Sequence, residues 1–146
     1  MKKILAIFLA TFTLGITTLY ADNDRLISKE QLPLVSQQFV NKHFAGHKAS
    51  YVKLERDFLE KSYKIVFTDG TKLEFARNGE WKEVDCRYNE VPAAIIPQQI
   101  RDYITQNYPN EKILQIDRNR RDYEVHLSNR LELTFDKNYN LIDIDE

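Results

Sequence analysis

The feature that most constrains the fold is an internal similarity between two parts of the chain. Residues 63–86, YKIVFTDGTKLEFARNGEWKEVDC, align without a gap on residues 123–146, YEVHLSNRLELTFDKNYNLIDIDE, at a constant shift of 60 positions. Upstream, residues 32–46 match residues 96–110 at a shift of 64. Self-similarity at a fixed period indicates that one structural unit is used twice.

Each unit begins with the pattern of an amphipathic helix. The stripe occupies positions i, i+4, i+7, i+8 and i+12 in both units: Leu32, Ser36, Phe39, Val40 and Phe44, then Ile96, Ile100, Tyr103, Ile104 and Tyr108. Pro33 and Pro97 stand at the first turn, where a missing N–H costs little. We expect both stripes to pack on a sheet.

Four short strands are predicted after each helix: 49–56, 62–67, 71–76 and 81–86, then 112–117, 122–127, 131–136 and 140–145. A three-residue turn at 68–70 pairs Tyr63 with Phe75 and Ile65 with Leu73, which gathers the apolar residues on one face.

The Asn78-Gly79 pair predicts a two-residue turn in the next hairpin. It pairs Phe75 with Lys82 and directs Trp81 away from the core, whereas a one-residue bulge would turn Trp81 inward. The second unit follows, with Phe135 opposite Ile142 and Leu141 outward.

These elements predict an α+β fold. Two tandem repeats, about 32–86 and 96–146, each contribute one helix and a four-stranded antiparallel meander. The expected result is an eight-stranded sheet with both helices on one face and the other face open.

Residues 1–21 have the layout of a secretory signal peptide, with two lysines, an apolar run and Ala21 before an acidic residue. Residues 22–146 would then be the exported domain, periplasmic or secreted, without a stable membrane anchor. The alternative is an uncleaved amphipathic anchor.

Charge and cysteine content narrow the function classes. Without Lys2 and Lys3 the chain has 19 basic and 22 acidic residues, a net charge of −3, and no basic patch that predicts a nucleic-acid partner.

Cys86 is the single cysteine. It is interpreted as a small apolar residue at a strand end, the alternative being an intermolecular disulfide or a reactive thiol.

The sequence shows no catalytic set, no cofactor motif and no complete set of metal ligands, so we predict a protein that is not an enzyme and needs no cofactor. His43 and His47 are spaced i, i+4, but Gly46 between them interrupts the helix, and we interpret both as surface residues. The acids of the last strand leave a calcium site as an alternative.

The open face is the predicted partner-binding surface. Its residues are Lys64, Val66, Lys72, Glu74, Trp81, Glu124, His126 and Glu132. An exposed tryptophan among charges of both signs is typical of binding hot spots.

The Leu-Pro and Ile-Pro helix starts, the Tyr-rich strand, the turn before LEF and the NGEWKEVDC ending resemble the PepSY-like family, over residues 32–146. This resemblance to a tandem fold like that of beta-lactamase inhibitor protein implies a curved sheet that holds a protein or peptide. We therefore predict an exported binding module that engages a protein or peptide of the cell envelope, with inhibition as one form of that activity. The alternative is a small-molecule or calcium-binding envelope protein.

Overall fold

The described residues, 24–146 of this computed structural model, form nine strands and two α-helices. The strands are β1 (Arg25–Ile27), β2 (Ala49–Arg56), β3 (Lys61–Phe67), β4 (Lys72–Phe75), β5 (Trp81–Asp85), β6 (Ile113–Arg118), β7 (Asp122–Leu127), β8 (Glu132–Asp136) and β9 (Leu141–Asp145). The helices are α1 (Leu34–His43) and α2 (Gln98–Asn107). The predicted signal peptide, 1–21, lies outside the described residues. None of the helices within 24–146 has the length and apolar character needed to cross a membrane.

The predicted fold of two tandem repeats building an eight-stranded sheet is wrong. The nine strands form one antiparallel sheet in chain order, from β1 at one edge to β9 at the other. β1, which precedes α1, pairs with β2 through Leu26 and Lys53. This edge strand is the one added to the eight that were predicted. In the middle of the sheet, Val84 of β5 pairs with Ile116 of β6, so the hydrogen-bonded ladder is continuous.

Both helices pack on the same face of the sheet and bury its apolar side chains. Phe39 of α1 meets Phe75 of β4 edge to face at 5.7 Å between ring centroids, and Tyr103 of α2 meets Phe135 of β8 at 5.5 Å. The strand residues beneath them form the core and are almost fully buried: Val52, Leu54, Ile65, Leu73, Phe75, Val84, Ile116, Val125, Leu133 and Phe135. Each such side chain contributes about 1.5–3 kcal/mol by leaving water.

The first hairpin register is confirmed. Tyr63 pairs with Phe75 and Ile65 pairs with Leu73. Gly70 has a φ of 90°, and the Asp69 carboxylate accepts a 2.8 Å hydrogen bond from the Thr71 N–H. The turn chemistry read from the sequence therefore sets this register correctly.

The next hairpin differs from the prediction by one residue. Ala76 and Glu80 close a three-residue turn, and a bulge in β5 places Trp81 opposite Phe75, on the face covered by the helices. The predicted pairing of Phe75 with Lys82 and the outward direction of Trp81 are wrong, because the Gly79 turn takes one residue more than a two-residue turn.

The last hairpin shows the same difference. Phe135 pairs with Leu141 after a bulge, and Leu141 packs against the core. The predicted partner of Phe135, Ile142, is not paired with it and is exposed. Tyr139 has a φ of 66° in this turn. This left-handed backbone conformation has a higher free energy for a residue with a side chain than for glycine.

Gly79 joins the β4–β5 turn to the start of α1. Its φ is +88°, and its carbonyl accepts a 2.8 Å hydrogen bond from the buried Ser36 hydroxyl. A Cβ at this position would lie 2.7 Å from Pro33 Cβ. The helix therefore rests directly on the backbone of the turn.

We expect Gly79→Ala to lower the free energy of unfolding by about 2–4 kcal/mol, because it combines a strained φ with a steric clash. Denaturant unfolding followed by circular dichroism measures the loss. Gly46→Ala is the matched control, since no atom lies within 4 Å of an added Cβ there. A Gly79→Ala protein as stable as the Gly46→Ala protein would contradict the close contact.

Cys86 follows β5 and is buried, with 2% of its surface exposed. Burial first, and then the negative charge of Asp85, raises the pKa of its thiol to about 12. The thiol therefore stays neutral and shielded at physiological pH.

We expect the folded protein to leave Cys86 unmodified by Ellman's reagent at pH 8, and to label fully after addition of guanidinium chloride. Rapid labelling of the native protein, or a dimer on non-reducing electrophoresis, would show instead that the thiol is accessible.

Candidate functional site

The face of the sheet turned away from the helices is the candidate site, and we call it the uncovered face. Strand residues alternate in direction, so the neighbours of buried Ile65, Leu73, Val125 and Leu133 point to this face. Most of its central side chains are half-buried by one another. Within residues 24–146, neither α-helix lies over it.

Seven of the eight predicted site residues lie on the uncovered face: Lys64, Val66, Lys72, Glu74, Glu124, His126 and Glu132. They fall into two groups, one on β3 and β4 and one on β7 and β8, with β5 and β6 between them. The eighth, Trp81, lies on the opposite face.

Trp81 is part of the packed structure. Its ring stacks on Phe39 of α1 at 6.3 Å, and the Arg118 guanidinium lies 4.2 Å from the ring centroid on top of it. Arg118 also donates a 2.9 Å hydrogen bond to the Trp81 carbonyl. The tryptophan therefore joins α1, β5 and β6 and does not supply a hot spot to the uncovered face.

The charged residues of the first group belong to what we call the lysine–glutamate network. It consists of one linked set, Lys53, Glu55, Lys64 and Glu74, and of a neighbouring pair, Lys72 and Glu83. Lys64 Nζ lies 2.8 Å from Glu55 Oε1 and 3.2 Å from Glu74 Oε1, so one lysine joins three strands. These contacts, with Glu55 first, raise the pKa of Lys64. The network holds its charges in fixed positions across β2–β5.

Glu83 and Lys72 end this network towards the middle of the sheet, 2.7 Å apart. Burial raises the pKa of Glu83, and the nearby Lys72 opposes that change. Lys72 therefore offsets part of the cost of placing the Glu83 carboxylate on a half-buried surface.

The second group is what we call the His126 cluster: Asp117 of β6, Glu124 and His126 of β7, and Glu132 of β8. His126 Nε2 lies 3.4 Å from Asp117 Oδ2 and 3.3 Å from Glu124 Oε1. Its other ring nitrogen, Nδ1, lies 3.5 Å from Glu132 Oε2. Three carboxylates thus surround one imidazole.

The electrostatics of the His126 cluster follow from this crowding. Asp117 first, then Glu132 and Glu124, raise the pKa of His126 above its ordinary value, against the effect of burial. Burial raises the pKa of Glu124, and the adjacent Glu132 and Asp117 raise it further. The cluster therefore attracts a positive charge, supplied by a proton or by another cation.

Asp117, Glu55 and Glu83 belong to the site although they were not predicted. Asp117 follows buried Ile116, so strand alternation alone places it on the uncovered face. Its proximity to His126 depends on the β6–β7 register, in which Asp117 pairs with Glu124. That register contains a bulge after Ile113, which the sequence pattern does not indicate.

Other candidate ligands are more scattered. Within the part of the chain that the structure describes, Asp117, Glu124 and His126 are the one group of three potential metal ligands that converges. Asp143 and Asp145 of β9 pair with Thr134 and Glu132 on the same face but are exposed. His43 packs against Phe39, and His47 lies 3.3 Å from Asp69.

Solved structures include close relatives of this protein. A protein of Bacteroides thetaiotaomicron, described as "a putative calcium-regulated periplasmic protein", has 52% sequence identity and a TM-score of 0.83, covering 84% of this chain and 97% of its own. Two proteins of Bacteroides vulgatus, both described as periplasmic, have 47% and 37% identity. Their TM-scores are 0.84 and 0.81, covering 86% and 84% of this chain and 99% of each of theirs.

The relatives confirm the predicted location, because all three are periplasmic proteins by description and two are more than 45% identical to this chain. Among curated proteins, none matches the chain. The family model described as "Putative beta-lactamase-inhibitor-like, PepSY-like" matches residues 61–143, more than half of the sequence. This confirms the resemblance read from the sequence: the protein belongs to the PepSY-like family.

Proposed function

We propose that this protein is a non-catalytic binding module of the periplasm that holds a protein or peptide against its uncovered face. The observation that carries the proposal is the lysine–glutamate network, which fixes charged side chains in a set order on a sheet face that no described helix covers. Membership of a family described as inhibitor-like supports a binding role.

The dimensions of the uncovered face suit such a partner. Nine strands at about 4.8 Å spacing extend across roughly 38 Å, and strands of about five residues extend roughly 17 Å. The product is on the order of 650 Å², close to the roughly 800 Å² that each partner of a standard complex buries.

The composition of the face favours a partner with a complementary charge order. The aliphatic stems of Lys64 and Lys72, together with Val66 of β3 opposite Lys72, supply apolar contact area. Because each lysine is held by a glutamate, a partner meets charges that are already ordered, and less side-chain entropy is lost on binding.

A non-catalytic role agrees with the chemistry of the described residues. Cys86 is buried with a raised pKa, and His126 contacts carboxylates on an open sheet face. Catalytic groups usually act in an enclosed site that excludes water.

A direct test is affinity capture from periplasmic extract with the immobilised protein and a Lys64→Gln, Lys72→Gln variant. We expect the native surface to retain one or more proteins that the variant loses by about tenfold or more, because the network that orders the face is broken. Quantitative mass spectrometry measures the retained amounts.

The matched control is Lys42→Gln, Lys112→Gln, which removes two exposed lysines away from the network. It should retain the same proteins as the native chain. Equal retention by all three proteins would remove the uncovered face as the binding surface. Loss from both variants would indicate a general effect of net charge.

A second candidate function is calcium binding by the acidic half of the uncovered face. A relative with 52% identity is described as calcium-regulated, and Asp143 and Asp145 lie beside Glu132 on the exposed β9 edge. Carboxylate oxygens are the ligands that calcium prefers.

If this second function holds, calcium chloride at about ten times its Kd should raise the Tm by roughly 4 °C, from about 1.4 kcal/mol of linked stabilisation. Differential scanning calorimetry in calcium chloride and in magnesium chloride measures the effect. An equal shift in both salts would indicate ionic screening without a calcium site. Asp143→Asn, Asp145→Asn should abolish a specific shift.

A further inference from the structure

We infer that Asp117, Glu124 and His126 form a binding site for a divalent transition metal of the zinc class on the uncovered face. The inference goes beyond the proposed protein-binding function and does not depend on it. It rests on the convergence of three ligand atoms, on the buried state of the histidine nitrogen, and on the residues that hold the ligands in place.

The spacing of the ligand atoms fits a small cation. The Asp117, Glu124 and His126 ligand atoms all lie within 4.8 Å of one another. His126 Nε2 lies 3.4 Å from Asp117 Oδ2 and 3.3 Å from Glu124 Oε1. Zinc bonds of about 2.0–2.1 Å in a tetrahedron give ligand-to-ligand distances of about 3.3–3.4 Å. Two of the three edges therefore already have the length that a zinc ion requires.

The state of His126 Nε2 is the second observation. This nitrogen is buried from solvent beneath two carboxylate oxygens, and neither contact has the geometry of a good hydrogen bond. A buried polar atom without a well-formed hydrogen bond is destabilising. A metal ion between Nε2 and the two carboxylates would satisfy all three groups at once.

The surrounding residues hold the ligands as metal sites usually require. Glu132 Oε2 lies 3.5 Å from His126 Nδ1, on the side of the ring away from the three ligand atoms. Gln115 donates a 2.8 Å hydrogen bond to Asp117 Oδ2 and fixes that carboxylate. A carboxylate behind a metal-binding histidine is a frequent arrangement in zinc sites.

The ligand types select the class of metal. Calcium prefers a shell of six to eight oxygen atoms, whereas zinc binds imidazole nitrogen and carboxylate oxygen in a set of four. Three protein ligands leave one position of a zinc tetrahedron open to water or to a group of a bound partner.

Isothermal titration calorimetry with zinc chloride tests the inference, using protein expressed from the full chain and purified from the periplasm. We expect saturable binding of one zinc ion per chain at pH 7.5. His126→Gln should weaken the affinity by at least about tenfold, and Glu132→Gln by about tenfold, as for outer groups of zinc sites.

His47→Gln is the matched control, because His47 also contacts a carboxylate, that of Asp69 at 3.3 Å, outside the cluster. It should bind zinc as the native chain does. Thermal unfolding without metal checks that each variant is folded. No saturable zinc binding, binding unchanged in His126→Gln, or equal loss in His47→Gln would each overturn the inference. Calcium binding tighter than zinc binding would overturn the choice of metal class.

Discussion

The structure depends on the contact between two helices and one face of the sheet. Phe39 on Phe75 and Tyr103 on Phe135 mark the two places where this contact is made. A shift of one residue in any strand would move its buried side chains to the other face, so the buried face fixes the register of the whole sheet. The positions of the charged residues on the uncovered face follow from this constraint.

The His126 cluster illustrates how the core determines the site. Burial of Val125 and Leu133, which pair across β7 and β8, brings His126 opposite Glu132 on the other side of the same strands. Ile116 does the same for Asp117 on β6. The polar arrangement is thus positioned by apolar packing, and no loop is needed to form it. Sites on regular strands hold their geometry more closely than sites on loops.

Part of this arrangement could be predicted from the sequence. Turn chemistry and alternation were sufficient for the Ile65–Leu73 pairing and for placing seven site residues on one face. Turn chemistry and alternation could not predict β1, because a strand of three residues is too short to show a periodic pattern. They also failed at Trp81, because an Asn-Gly pair fits both a two-residue turn and a three-residue turn with a bulge. In both hairpins the bulge turns the first strand residue, Trp81 or Leu141, towards the core, and that packing is a tertiary effect.

The two halves of the uncovered face balance their charge in different ways. On β2–β5 each central glutamate has a lysine neighbour, so half-buried carboxylates such as Glu83 are compensated within the protein. The β6–β9 half carries five acids, Asp117, Glu124, Glu132, Asp143 and Asp145, with His126 as the titratable group that can offset them. A proton on His126, a metal ion or a basic group of a partner would each offset this negative charge. Because such cations would compete for the same carboxylates, binding of one would weaken the binding of the others.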